Sequence, residues 1–183
     1  MTKFDTHTIE TAPEASKKFL EGAKAKNKFV PNILAKMAEA PATLEAYTTL
    51  AGIFEKTDLS ATERQVIMMT VNRLNGCTYC MAAHSTISRM TGVAEDVIAT
   101  LRAGTALADP KLEALRQFTV VMTHDRGFPS EADKEAFLAA GYTKQTMLEV
   151  VLGISYKVLS NYTNHLAHTE LDDKFSADVW EAA

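Results

Sequence analysis

The sequence has few cysteines, no long apolar run and no cluster of basic residues. Only 2 of its 183 residues are cysteine, and 46% hydrophobic content at this length suits one globular domain rather than a disulfide- or metal-stapled miniature. The net charge is −4 and the lysines and arginines are scattered, which disfavours binding to nucleic acid or to an anionic membrane surface. We therefore expect neither partner.

Targeting signals are also missing. The first residues, MTKFDT, lack the apolar centre of a signal peptide, and no apolar run approaches the roughly 20 residues of a membrane span. These features predict a cytoplasmic protein. In that reducing compartment, two closely spaced cysteines are typical of catalysis or redox sensing rather than of a structural disulfide.

Strand signals are scarce, and the apolar residues follow a helical period throughout, which predicts an all-α fold. No glycine-rich loop, repeat or linker divides the chain, so residues 1–183 are predicted to form a single domain. The last helix, over residues 143–168, is expected to be central because it has a long apolar stripe. Prolines, glycines and capping residues place helices at residues 13–26, 31–37, 42–54, 60–75, 78–90, a short one through 102, 109–124, 130–140 and 143–168. The stripe on the last helix comprises Met147, Val150, Val151, Ile154, Val158 and Tyr162.

Both cysteines belong to one short motif, Cys77-Thr78-Tyr79-Cys80, with His84 four residues further on. If a helix begins near Thr78, Cys80 and His84 are one turn apart on one face, where the imidazole can accept or return the thiol proton. The N-terminus of that helix also favours a thiolate. The spacing predicts dithiol redox chemistry. The alternative is that both thiols are buried apolar filler and His84 an ordinary polar residue.

Three segments, residues 63–65, 75–80 and 82–84, resemble the core of the AhpD-like, or carboxymuconolactone decarboxylase, superfamily of alkylhydroperoxidases. Residues 161–165, followed by Asp172, resemble the C-terminal signature of its peroxidase-related members. The resemblance spans residues 55–175 and leaves residues 1–54 as N-terminal helices. It implies an all-helical, homo-oligomeric domain that reduces hydroperoxides with its cysteine pair. We expect neither a cofactor nor a metal.

The family pattern also implies a role for each residue of the motif. Cys80 would attack the hydroperoxide, Cys77 would resolve the product as a disulfide, and His84 would transfer protons. An external dithiol or lipoyl-type reductant would then restore the thiols.

The chain departs from the family pattern at two positions. Gln65 stands where better-known members have a glutamate that relays protons, and an amide cannot take a proton. Glu63 either forms a capping box with Ser60 or turns into the site. Tyr79 replaces a histidine between the cysteines, and either packs or donates a hydrogen bond to a thiolate or peroxide oxygen.

Two other functions fit the fold that the resemblance implies. A cofactor-free lyase of the carboxymuconolactone decarboxylase type would use a histidine as acid or base and would not need the cysteines. A redox-responsive binding protein would form the disulfide without efficient turnover. A zinc site built from the cysteines with His165 and His168 is disfavoured, because a helical domain separates the two pairs.

Overall fold

The computed structural model describes residues 3–182, and every regular element in that range is helical. The all-α prediction is therefore confirmed, and each helix expected from the sequence is present; a short 3₁₀ helix near the C-terminus was not predicted. The elements are α1 (Glu14–Asn27), α2 (Asn32–Met37), α3 (Pro41–Phe54), α4 (Ala61–Leu74), α5 (Thr78–Met90), α6 (Glu95–Ala103), α7 (Pro110–His124), α8 (Glu131–Ala139), α9 (Lys144–Ala167) and the 3₁₀ helix Asp173–Asp178.

The turn between α4 and α5 determines where the cysteine motif begins. Gly76 has a φ of +63°, in the left-handed region that favours glycine, and it reverses the chain directly after α4. Cys77 then occupies the N-cap of α5, where its sulfur accepts a hydrogen bond from the Cys80 backbone N–H at 3.4 Å. The motif is thus the first turn of a helix, as the sequence predicted.

Helix α4 lies at the centre of the domain and packs against α5, α7 and α9. Its apolar residues Val66, Ile67, Met69 and Val71 have no solvent exposure. Burial on this scale supplies the main driving force for folding. The core around α4 therefore provides the fixed surface on which α5 and α9 meet.

A second apolar cluster encloses the cysteine motif. It joins residues of α1, α2 and α3, such as Leu20, Ile33 and Leu44, to the first turns of α5 and to Phe175 of the 3₁₀ helix. Cys77 and Cys80 are members of this cluster. The N-terminal helices, which carry none of the sequence motif, thus form a wall of its surroundings.

The prediction that the apolar stripe of α9 forms its buried face was wrong. Tyr162 is 59% exposed and Val151 41% exposed, although Val150 is buried as expected. The helix instead buries mainly small and polar residues, because this face packs against α4 and faces the cysteines. The buried residues are Val150, Gly153, Tyr156, Lys157, Ser160, Asn161, Asn164 and Ala167.

Although α9 has 24 residues, neither it nor another helix within residues 3–182 is long and apolar enough to cross a membrane.

Gly153 lets α9 approach α3 and α4 closely. A Cβ atom at this position would lie 2.8 Å from Ile67 Cγ2 and 2.9 Å from the Phe54 ring, and both side chains are fully packed. Gly153→Ala is therefore expected to destabilise the fold by about 1–3 kcal/mol, despite the higher helix propensity of alanine. Urea unfolding would measure the change.

The matched control is Gly22→Ala in α1, where an added Cβ would meet nothing within 4 Å. This change is expected to be neutral or to stabilise by up to about 1 kcal/mol. Equal effects of the two substitutions would contradict the close packing of α9.

Candidate functional site

The two thiols lie together in the first turn of α5, free and almost fully buried. Cys77 is 1% and Cys80 3% exposed, and they are not joined by a disulfide. Asn164 of α9 reaches both: its Nδ2 lies 3.1 Å from Cys80 Sγ and 3.7 Å from Cys77 Sγ. Ser160 Oγ lies 3.9 Å from Cys80 Sγ. One face of α9 thus covers the sulfur pair.

A ladder of asparagine amides fixes the backbone at Cys80. Asn72 of α4 donates to the Cys80 carbonyl at 3.2 Å and accepts from Asn161 Nδ2 at 3.0 Å. Asn161 in turn accepts from Asn75 Nδ2 at 2.9 Å. Because buried amides are costly to leave unpaired, this ladder holds α4, α5 and α9 in one register at the site.

His84 is buried one turn beyond Cys80 and uses both ring nitrogens. Nδ1 lies 2.9 Å from Gln65 Oε1, and Nε2 lies 3.0 Å from Lys157 Nζ. The amide oxygen can only accept, so Nδ1 carries the hydrogen and Nε2 accepts from Lys157. Burial, together with the charge of Lys157, lowers the pKa of His84 well below its usual value. The imidazole is therefore neutral at neutral pH.

The surroundings push the pKa values of the two thiols apart. Burial alone would raise the pKa of Cys80, but a hydrogen bond from the Cys77 thiol and the charge of Lys157 outweigh it and lower that pKa to about 6. The pKa of Cys77 is raised, because its thiol donates to Cys80 and is itself buried. One thiolate and one thiol at neutral pH is the state that suits a nucleophile with a resolving partner.

Tyr79 points away from the sulfur chemistry. Its hydroxyl donates to Asp172 Oδ2 at 2.5 Å and accepts from the Ile33 backbone N–H at 3.4 Å. Of the two alternatives for Tyr79, the packing role is the one that its contacts support. Asp172 also accepts from the Asn32 backbone N–H, so the C-terminal segment is tied to α2 and α5.

Glu63 also lies outside the group of side chains that surrounds the two cysteines. It forms the predicted capping box with Ser60, accepting from the Ser60 backbone N–H at 2.8 Å, and lies 3.5 Å from Lys111 Nζ. The alternative in which Glu63 turns into the site is therefore wrong. Gln65, two residues later, is the residue of this pair that reaches His84.

Lys157 is the site residue that the sequence analysis missed, and the contacts of Ser160 and Asn164 were not foreseen. A lysine in a helix is usually assigned to a solvated face. The signal was the spacing: Gly153, Lys157, Ser160 and Asn164 recur every three or four residues along α9. The period alone did not distinguish a buried polar face from a solvated one.

Within residues 3–182, no group of three or more His, Cys, Asp and Glu side chains is arranged to hold a metal ion. The polar atoms at the sulfurs are amide, hydroxyl and amine groups.

Comparisons with known proteins agree on the fold. The family model for the carboxymuconolactone decarboxylase family matches residues 41–120. No curated protein is detectably similar in sequence.

Solved structures cover nearly the whole chain at low identity. A peroxidase-related protein of Ralstonia eutropha JMP134, described as an alkylhydroperoxidase AhpD core, is 21% identical with a TM-score of 0.84, over 94% of this chain and 93% of its own. A peroxidase-related protein of Silicibacter sp. TM1040 is 21% identical with a TM-score of 0.81, over 95% and 92%. The debrominase Bmp8, solved with 2,3,4-tribromopyrrole, is 17% identical with a TM-score of 0.81, over 97% and 96%.

The family match spans α3 to most of α7 and includes the cysteine motif. The shared fold extends to the N-terminal helices and to α9, which the match leaves out. The resemblance inferred from the sequence is thus supported: residues 41–120 match the carboxymuconolactone decarboxylase family, and the chain shares its fold with the solved AhpD-core and peroxidase-related structures.

Proposed function

We propose that the protein is a thiol-dependent hydroperoxide reductase, with Cys80 as nucleophile and Cys77 as resolving thiol. The observation that carries the proposal is the sulfur pair in the first turn of α5, free, buried and contacted by one amide, that of Asn164. A buried dithiol with one ionised sulfur is suited to a two-electron oxidation that ends in a disulfide.

In the first step, the Cys80 thiolate attacks the distal oxygen of the hydroperoxide and the O–O bond breaks. Cys80 becomes a sulfenic acid, and the departing alkoxide takes up a proton to leave as an alcohol. The proposed source of this proton is the Lys157 ammonium, which donates to His84 Nε2, so His84 takes part in proton transfer through the lysine that it holds. Asn164 Oδ1 is buried without a partner in residues 3–182, and is an acceptor for the peroxide O–H.

In the second step, the Cys77 sulfur attacks the Cys80 sulfenic acid, and water leaves as the S–S bond forms. The two electrons that reduced the peroxide thus come from the two thiols. An external dithiol or lipoyl-type reductant would return them by thiol–disulfide exchange, and a reducing compartment such as the cytoplasm suits that cycle. The homo-oligomer stays a prediction.

Replacing either cysteine by serine should separate the two steps. Cys80→Ser is expected to reduce peroxide consumption at least about 100-fold, because a neutral hydroxyl is a far weaker nucleophile than a thiolate. Cys77→Ser should instead consume one equivalent of peroxide and stop at a sulfenic acid. Stopped-flow consumption of hydrogen peroxide and of an alkyl hydroperoxide, with mass spectrometry of the trapped product, measures both outcomes.

The matched pair of serine variants also separates the alternatives. A lyase would retain its activity in both variants. A redox-responsive binding protein would form the Cys77–Cys80 disulfide once and show no turnover with any dithiol. Unchanged peroxide consumption in Cys80→Ser would overturn the proposal. A brominated pyrrole belongs in the same substrate panel, since a debrominase shares the fold.

The pH dependence of the first step follows from the pKa of Cys80. Because this pKa is lowered to about 6 and the thiolate is the reactive form, the rate of sulfenic acid formation should rise with pH through about 6 and then level off. The rise reflects loss of the thiol proton. Single-turnover kinetics across pH would give the midpoint, and a midpoint at the pKa of an ordinary free cysteine would contradict the proposed activation.

A further inference from the structure

Lys157 has an unusual environment for a lysine. It is 1% exposed, and its Nζ is bonded to the neutral ring of His84. None of the ion pairs within residues 3–182 includes it. A buried charge without a counter-charge is strongly unfavourable, so a lysine in this position calls for an anion nearby.

The candidate for this anion is the Cys80 sulfur. Ser160 and Asn164, which contact that sulfur, lie three and seven residues after Lys157 on the same face of α9. His84, which holds Lys157, lies one turn after Cys80 on α5. Separate contacts thus place the lysine and the sulfur at the same interface, that between α5 and α9.

We propose that Lys157 is the residue that keeps Cys80 ionised, with His84 serving to hold the lysine in place, and that the thiolate and the lysine are each other's counter-charge. The inference rests on the proposed role of Cys80 as nucleophile. Gln65 fits this arrangement, because a neutral acceptor at Nδ1 leaves Nε2 free to accept from Lys157. Activation is then electrostatic and needs no carboxylate base.

The titratable groups that face Cys80 come from three helices. Cys77 and His84 belong to α5, and their states are described above. Tyr47 of α3 and Tyr156 of α9 share a hydrogen bond of 3.0 Å, and burial raises the pKa of both hydroxyls. Both phenols therefore stay neutral over the range in which Cys80 titrates, which leaves Lys157 as the positive group in this set.

The test removes the charge with and without the hydrogen bond to His84. Lys157→Gln keeps an N–H donor but is neutral, whereas Lys157→Met removes both and fills the same space with an apolar side chain. The ultraviolet absorbance of the thiolate, followed against pH without any peroxide, reports Cys80 directly, with Cys80→Ser as the blank. Thermal unfolding shows whether each variant is folded.

Both variants are expected to move the thiolate midpoint up by about one to three pH units. The matched control is Lys144→Met, an exposed lysine of the same helix, which should leave the midpoint unchanged. An unchanged midpoint in a folded Lys157→Gln or Lys157→Met protein would overturn the inference.

A shift in Lys157→Met alone would also overturn it, because the hydrogen bond rather than the charge would then be responsible. If Lys157→Met does not fold, Lys157→Gln still gives the decisive comparison. Since no peroxide is used, the result stands apart from whether the protein reduces hydroperoxides: a shifted midpoint with no peroxide consumption would support Lys157 and reject the reductase.

Discussion

The contact between Lys157 and His84 joins the two helices on which the site depends. Helix α5 contributes both sulfurs and the imidazole, and α9 contributes the lysine, Ser160 and Asn164. Neither helix makes a site alone. Because the lysine is buried, its charge is not screened by solvent and acts more strongly on its neighbours than a surface lysine would. The register of α9 on α4, fixed by Gly153 and the asparagine ladder, is what brings this charge to the right place.

The two ends of the chain, both outside the family match, enclose this pair of helices. The N-terminal helices pack over the cysteine motif, and the C-terminal segment is fastened by the hydrogen bond from Tyr79 to Asp172. Asp178 of the 3₁₀ helix accepts from Thr86 at 2.7 Å, which secures the next turn of α5 in the same way. Both ends of the chain therefore help to exclude water from the motif. Excluding water strengthens the electrostatic interactions of the two sulfurs.

Much of the fold could be predicted from the sequence, because helix ends are specified locally. The capping box at Ser60 and the glycine at position 76 needed no tertiary information, and they placed Cys77 correctly at the start of α5. The position of His84 one turn after Cys80 on α5 followed from helical spacing in the same way. The buried face of α9 could not be predicted in this way, because apolar periodicity assigns burial to the more hydrophobic stripe. Here a polar face is buried, because its partners are thiols, amides and an imidazole on other helices. Such pairs join residues more than 70 positions apart in the sequence, so local patterns do not reveal them.

The amide of Gln65 has a consequence for the hydrogen atoms that pass through the site. A chain of hydrogen bonds that ends on an amide oxygen has no outlet to bulk water at that end, because this oxygen neither takes up nor releases hydrogen ions near neutrality. Over a complete turnover, the proposed cycle has no net need for such an outlet. A hydroperoxide brings one exchangeable hydrogen and a dithiol brings two, and together these equal the three that depart in an alcohol and a water molecule. The reductant would then deliver hydrogen along with electrons, and each completed turnover would leave the acidity of the surroundings unchanged.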